Sequence, residues 1–286
     1  MEWMNLIAAI VAFVLTALLG KLVIPFLVKL KFGQSILEIG PNWHKNKQGT
    51  PTMGGIMFIL GIGLTVLVIG IPLLREGKYQ HLVLFGFSLL FGLIGLVDDY
   101  AKVVKKQNQG LTALQKLLLQ LAAAVVFLSV LRLLGELTPS LYLPFFDVRL
   151  TMPWVVYLVL MMFLIVGAVN AVNLTDGIDG LATSVTIPVC ALFAALGVIL
   201  EKPENGLFAA ALAGALVGFW LYNKNPAKVF MGDTGSLFLG GAVIGLAFAF
   251  DLPLLFIFVG IIYLIETLSV ILQVIYFKLS HGKRIF

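Results

Sequence analysis

Nine apolar stretches, at 4–24, 53–73, 82–97, 117–135, 153–173, 180–200, 206–222, 236–250 and 253–277, fill most of this 286-residue chain and decide what it can fold into. A helix needs about 20 apolar residues to cross the hydrocarbon core of a bilayer. Only backbone that satisfies its own hydrogen bonds can lie in lipid. The stretches are therefore predicted to be transmembrane helices. The composition, 60% hydrophobic with a mean hydropathy of +1.07, compares with roughly 45–50% apolar residues in ordinary soluble domains. So much apolar surface excludes a water-soluble core. The expected fold class is all-α: a polytopic membrane helical bundle forming a single integral-membrane domain over 1–286. Stretches 82–97 and 236–250 are short for a span, and Pro188 and Pro253 suggest kinked or displaced helices. The N-terminus lacks a basic region and a small-residue cleavage pattern, so the first helix is expected to stay in the protein. The single cysteine, Cys190, lies in an apolar run, which excludes a disulfide framework and a cysteine-based metal site.

Lysine and arginine orient the bundle. Segments 25–52, 98–116, 174–179, 223–235 and 278–286 carry most of the basic residues, while the alternate segments carry only Arg75, Lys78, Arg132, Arg149 and Lys202. By the positive-inside rule the first set faces the cytoplasm and the N-terminus lies outside. The outer segment 136–152 mixes Pro139, Pro144, Asp147 and Arg149 with alternating apolar residues, as expected of a short interfacial hairpin with no chemistry of its own. Glu266 would cost about 2.5–3.5 kcal/mol at the bilayer centre, so it is expected to face a cleft or a polar partner.

With this threading Asp98, Asp99, Asp176, Asp179 and Asp233 all fall on the basic, inner face. Helix capping accounts for some of them: Asp179 and Asp233 are expected just before helices, where carboxylates are favoured. Capping does not account for Asp98-Asp99, expected at a helix C-terminus whose partial negative charge disfavours them. Two adjacent carboxylates call for a divalent cation or cationic side chains between them. Asn170, Asn173 and Asp176 follow at i, i+3 and i+6, one polar stripe if the helix continues through them. Gly177 and Gly180 beside Asp179 let backbone approach a ligand closely. The segment from Asn223 to Ser236 has lysines, hydroxyls and a glycine-bracketed Asp233 leading into a helix. Free amides at such a helix start favour phosphate, and the carboxylate favours Mg²⁺. These residues alone leave two readings, a membrane enzyme acting on a phosphate substrate or a cation-coupled transporter. A transporter predicts midplane polar residues and inverted repeats, whereas here the charges gather at one interface and no repeat is visible.

Four strings carry a resemblance: Gly49-Thr50-Pro51-Thr52-Met53-Gly54-Gly55, Asp98-Asp99-Tyr100-Ala101-Lys102, Asn170 through Gly180, and Asn223 through Ser236. In order and spacing, from Trp43 to the end, the chain closely resembles the bacterial phospho-N-acetylmuramoyl-pentapeptide-transferases, within the polyprenyl-phosphate sugar-1-phosphate transferase superfamily. The aspartate pair and the Asp176/Asp179 segment are shared across that superfamily, including relatives that transfer N-acetylglucosamine-1-phosphate. The Thr-Pro-Thr-Met-Gly-Gly string, preceded by His44, Lys45 and Lys47, resembles the muramoyl-pentapeptide branch.

The resemblance implies a Mg²⁺-dependent enzyme of the bacterial plasma membrane. It would join UDP-N-acetylmuramoyl-pentapeptide to undecaprenyl phosphate in a cytoplasmic cleft, releasing UMP and forming lipid I for peptidoglycan. It also implies a homodimer and a target for uridine-containing nucleoside inhibitors. Asp233 is the first expected metal ligand, with Asp99 beside it. One of Asp98 and Asp99 would deprotonate or orient the lipid phosphate, and Lys102 and Lys116 would neutralise phosphate charge. Phe230 matches the family position that stacks on uracil, and Gly177, Ile178, Asp179, Asn223 and Lys47 complete the nucleoside pocket beside Asn170, Asn173 and Asp176. Direct attack by the lipid phosphate and a covalent phospho-enzyme both remain open. The branch carries ten helices, with a Pro-x-x-His-His-His loop and a last helix beyond a Lys-Arg-Ile-Phe-like stretch; this sequence ends at that stretch, at Phe286.

Overall fold

The computed structural model describes residues 2–30, 49–105, 110–143, 146–283 and 285. Lys47, His44 and Lys45 lie outside the described residues. The chain runs α1 (Glu2–Lys29), α2 (Gly55–Ile69), α3 (Ile71–Arg75), α4 (Gln80–Lys105), α5 (Ala113–Leu133), the hairpin β1 (Ser140–Leu143) and β2 (Val148–Thr151), α6 (Trp154–Thr175), α7 (Leu181–Ile199), α8 (Pro203–Asn223), α9 (Gly232–Ala249), α10 (Leu255–Val259) and α11 (Ile261–Leu279). The fold is an all-α bundle, and among the described residues eight helices are long and apolar enough to cross a membrane.

The predicted stretch at 53–73 forms only the 15-residue α2, closed at Gly70 and followed by the short α3. Pro72 lies in the first turn of that second helix, where its missing N–H costs no bond. The stretch at 253–277 likewise divides at Gly260 into α10 and α11. The 136–152 segment is an antiparallel hairpin as expected, with Tyr142 opposite Arg149, and Arg149 pins it to Asp251 at 2.8 Å.

α9 is the axis of the bundle. Its residues from Thr234 to Ala249 are buried, against α4 and α6, while α11 buries only Tyr263. In lipid, where tails are as apolar as leucine, close helix approach depends on small residues. Gly95 of α4 meets the Asp233 carbonyl so closely that a Cβ would clash with it, and Gly55 of α2 does the same against Gly235. These contacts bring the start of α9 into the corner between α2 and α4.

Two boundaries differ from the sequence reading. The helix expected to end at 97 continues to Lys105, so Asp98-Asp99 lie inside α4 and not at its C-terminus. Their charge is compensated along and across the helix, by Lys102 four residues after Asp98 and by the start of α9. The helix expected at 236–250 begins at Gly232, four residues earlier, which puts Asp233 in the first turn of α9 and not ahead of it. Asp179 does not cap α7 either. Gly180 takes that position at φ +73, a left-handed conformation that favours glycine, and Asp179 accepts a hydrogen bond from the Ala227 amide at 3.1 Å.

Candidate active site

Four helices meet at one place: the interior of α4, the starts of α5 and α9, and the end of α6. α4 supplies Asp98, Asp99 and Lys102. The 3–4 residue spacing puts Lys102 on the carboxylate face, with its Nζ 2.6 Å from Asp98 Oδ2 and 3.9 Å from Asp99 Oδ1. α5 opens on a capping box in which Thr112 and Gln115 satisfy each other's amides. The preceding residue docks this start on α4, Leu111 N donating to Asp98 Oδ1 at 2.9 Å. One turn on, Lys116 reaches 3.3 Å from Asp98 Oδ1 and 2.8 Å from Asp233 Oδ2. Lys102 stands 2.8 Å from the same Asp233 oxygen.

The other Asp233 oxygen, Oδ1, accepts from Asn173 Nδ2 of α6 at 2.9 Å, and the same amide reaches Ser236 Oγ at 2.6 Å. Asp99 lies at the edge of Lys102's reach and turns its hydrogen bonds to α9. It accepts from the amides of Asp233 at 3.2 Å and Thr234 at 2.9 Å and from Thr234 Oγ1 at 2.7 Å, filling the free donors at the N-terminus of α9. The dipole that Asp99 meets is thus the favourable end of a second helix.

Asp98, Asp99 and Asp233 each offer an oxygen within 4.8 Å of the others. Their side chains are 1%, 4% and 18% exposed, so Asp233 is the one open to an incoming group. Hard carboxylate oxygens with an accessible member suit Mg²⁺, which keeps water and phosphate in its shell. Two ammonium groups against three carboxylates leave the cluster one positive charge short of neutral.

The 170–180 region reaches this centre at several points. Asn173 joins it directly. Asn170 turns to α5, donating to Gln120 Oε1 at 2.7 Å. Asp176 ends α6, where burial, together with the carboxylates of Asp233, Asp99 and Asp179, holds its carboxyl well above the usual range. Gly177 and Ile178 are exposed at the following turn.

That turn lies on the segment after α8. A Cβ at Gly180 would touch Lys224. Asn223 is buried, its Oδ1 accepting from Thr183 at 2.8 Å and its Nδ2 donating to the Val229 carbonyl at 3.0 Å, so it shapes the 224–231 loop. Phe230, half-buried, is fixed through its backbone: its N–H donates to Pro51 O at 2.9 Å and its carbonyl accepts from Gly54 N at 2.9 Å. The Gly49–Gly55 string therefore buttresses the Phe230 loop.

Thr234, Thr183 and Gln120 were not singled out from the sequence. Thr234 adjoins Asp233, and Gln120 is a polar residue inside an apolar stretch four residues after Lys116; that spacing was the available signal.

Residues 81–251 match the family described as Glycosyl transferase family 4, and residues 47–59 match Phospho-N-acetylmuramoyl-pentapeptide-transferase signature 1. The chain is 46% identical over 282 residues to the phospho-N-acetylmuramoyl-pentapeptide-transferase of Staphylococcus carnosus, covering 98% of this chain and 87% of that protein. The chain belongs to the phospho-N-acetylmuramoyl-pentapeptide-transferase family. The transferase of that name from Bacillus subtilis is 45% identical over 286 residues, 100% of this chain and 87% of the relative. That of Listeria monocytogenes is 44% identical over 276 residues, 96% and 84% of the two chains. The broader family match contains every aspartate of the cluster and both lysines. The phospho-N-acetylmuramoyl-pentapeptide-transferase signature covers the string that supports Phe230.

Proposed function

We propose that this protein transfers the phospho-N-acetylmuramoyl-pentapeptide group from its UDP conjugate to undecaprenyl phosphate, giving lipid I and UMP, with Mg²⁺ as cofactor. The observation that carries the reading is the convergence of Lys102 and Lys116 on one accessible oxygen of Asp233, in a chain of this family. Two anionic phosphates must meet, so charge neutralisation and alignment are the main catalytic tasks.

In the direct route, an oxygen of the lipid phosphate attacks the sugar-linked phosphorus, the diphosphate bridge breaks, and UMP leaves with the bridging oxygen; in the covalent route a carboxylate makes that attack first and the lipid phosphate then displaces it. Lys102 and Lys116 exchange carboxylate partners for phosphate oxygens as the substrates enter. Asp98 faces both lysines and is the carboxylate that orients the lipid phosphate or takes its proton. Asp233 is the first donor we assign to Mg²⁺, with Asp99 second. When bound, the ion neutralises the diphosphate and the departing UMP. Asp99 already has three donors from α9, so its first contribution is to hold Asp233 in place.

Phe230 stacks on uracil in this reading. Gly177, Ile178 and Asp179 line the nucleoside side in this reading, a role the resemblance also gives to Lys47, and Asp176 and Asn173 serve between nucleoside and phosphates. Asn223 and Asn170 act through the loop and helix they hold. The reading keeps the site on the cytoplasmic side and the N-terminus outside, in accord with the basic segments. The lipid phosphate then sits at the inner leaflet while its prenyl chain stays in hydrocarbon.

The test is UMP release by the detergent-purified protein, given UDP-N-acetylmuramoyl-pentapeptide, a polyprenyl phosphate and Mg²⁺, beside D233A. Release that requires lipid, Mg²⁺ and Asp233 is expected. No release with this donor, but release from UDP-N-acetylglucosamine, would move the protein to the sister activity.

A further inference from the structure

Gln120 is 1% exposed and opens the otherwise apolar buried face of α5. Its Oε1 accepts from Asn170 Nδ2 at 2.7 Å, an amide that also donates to Val166 O at 2.8 Å. Its Nε2 is buried without a hydrogen-bond partner among the described residues. Burying an amide is unfavourable, and leaving one of its donors unpaired adds to that cost. An apolar side chain of similar size would fill the space without either penalty. Space-filling therefore does not explain a glutamine here.

Its neighbours give the explanation. Gln120 lies one helical turn after Lys116 on α5, and Asn170 lies one turn before Asn173 on α6. Lys116 and Asn173 grip the two oxygens of Asp233, Oδ2 at 2.8 Å and Oδ1 at 2.9 Å. The Gln120–Asn170 bond ties the same two helices one turn deeper in the bundle. It is a second rung beneath the one that holds Asp233.

We infer that Gln120 is a positioning residue for the Asp233 centre: it sets α5 against α6, and so the grip of Lys116 and Asn173 on that carboxylate. The inference rests on the transferase reading above for its kinetic readout, but not for its structural one.

The test compares the wild type with Q120M, which keeps the volume and removes the acceptor, and Q120E, which keeps the acceptor. Q120L serves beside Q120M should either fail to fold. In UMP release, Q120M is expected to lower kcat about tenfold with KM for the UDP substrate within about twofold, as for a misplaced catalytic group. Q120E is expected to return to within about threefold of wild type. Mn²⁺ binding followed by electron paramagnetic resonance is expected to weaken at least about threefold in Q120M and to recover in Q120E, the pattern of a residue that orients a metal ligand.

Wild-type kcat and Mn²⁺ affinity in Q120M would overturn the inference, as would a rise in KM alone or a Q120E as slow as Q120M. If the wild type itself released no UMP, the transferase reading would fall. Mn²⁺ affinity would then decide this inference by itself, an unchanged value in Q120M overturning it and a weakened value restored by Q120E upholding it.

Discussion

Lys116 and Asp233, 117 residues apart in sequence, meet with Nζ 2.8 Å from Oδ2, and the same ammonium lies 3.3 Å from Asp98 Oδ1. This lysine thus bridges the carboxylates of two helices, as Lys102 does from α4, and offers a positive charge to an incoming phosphate. K116M is expected to lower kcat for UMP release by roughly 10²–10³-fold, the range for removal of one electrostatic donor from an active site. K116R should recover part of the loss. Steady-state kinetics at saturating substrates check it.

Asp233 has partners on both oxygens and is the most accessible of the three carboxylates. D233N keeps the shape but removes the charge that holds two lysines and, in our assignment, Mg²⁺. The expected outcome is a loss of turnover of at least about 10³-fold, together with loss of saturable Mn²⁺ binding in the same protein. Retained Mn²⁺ binding would move the first metal ligand to Asp98 or Asp99.

Thr234 gives Asp99 two of its three hydrogen bonds. T234V removes the hydroxyl and leaves a buried carboxylate short of a donor, for an expected destabilisation of about 1.5–3 kcal/mol. T234S, which keeps the hydroxyl, should stay close to wild type. Thermal unfolding in detergent distinguishes the pair.

Gly95 faces the Asp233 carbonyl with no room for a Cβ. G95A is expected to push the start of α9 away from α4, at a cost of about 1–3 kcal/mol in stability. Turnover should fall with it, because Asp233 moves while its lysines do not. G86A, on the same helix with open space at the Cβ position, is the control and should leave both unchanged.

Asp176 binds its proton more readily in the fold than in the unfolded chain, because burial and the Asp233, Asp99 and Asp179 carboxylates oppose its charge. The native state therefore holds the extra proton, and stability falls as pH rises from the ordinary carboxylate range through the raised one. D176N removes that loss. Without divalent metal, D176N is expected to be more heat-stable than wild type at pH 8, with the difference vanishing toward pH 4. Its UMP release should nonetheless be reduced. Unfolding scans at the two pH values, beside the kinetic assay, test both statements.

Much of the site was legible in the chain because its chemistry is carried by charges that have no other place in an apolar sequence. Asp98, Asp99, Lys102, Lys116 and Asp233 stand out against their surroundings, and the structure brings all five together. The helix limits around them were less legible. Hydropathy ends a span at its first charges, but α4 runs on to Lys105 because those charges are neutralised by residues from other helices. The division of α2 from α3 at Gly70 was likewise invisible to a hydropathy window that counts glycine as neutral.

Sequence by itself determined the membrane class, the all-α fold and the family, since these depend on apolar length and on local strings. Only the tertiary structure decided which carboxylate does what. Asp98 and Asp99 are chemically identical neighbours, yet one turns to two lysines and the other to the amides of α9. That difference arises because adjacent residues on a helix point about 100° apart, so the helices packed on either side, and not the residues themselves, assign their roles.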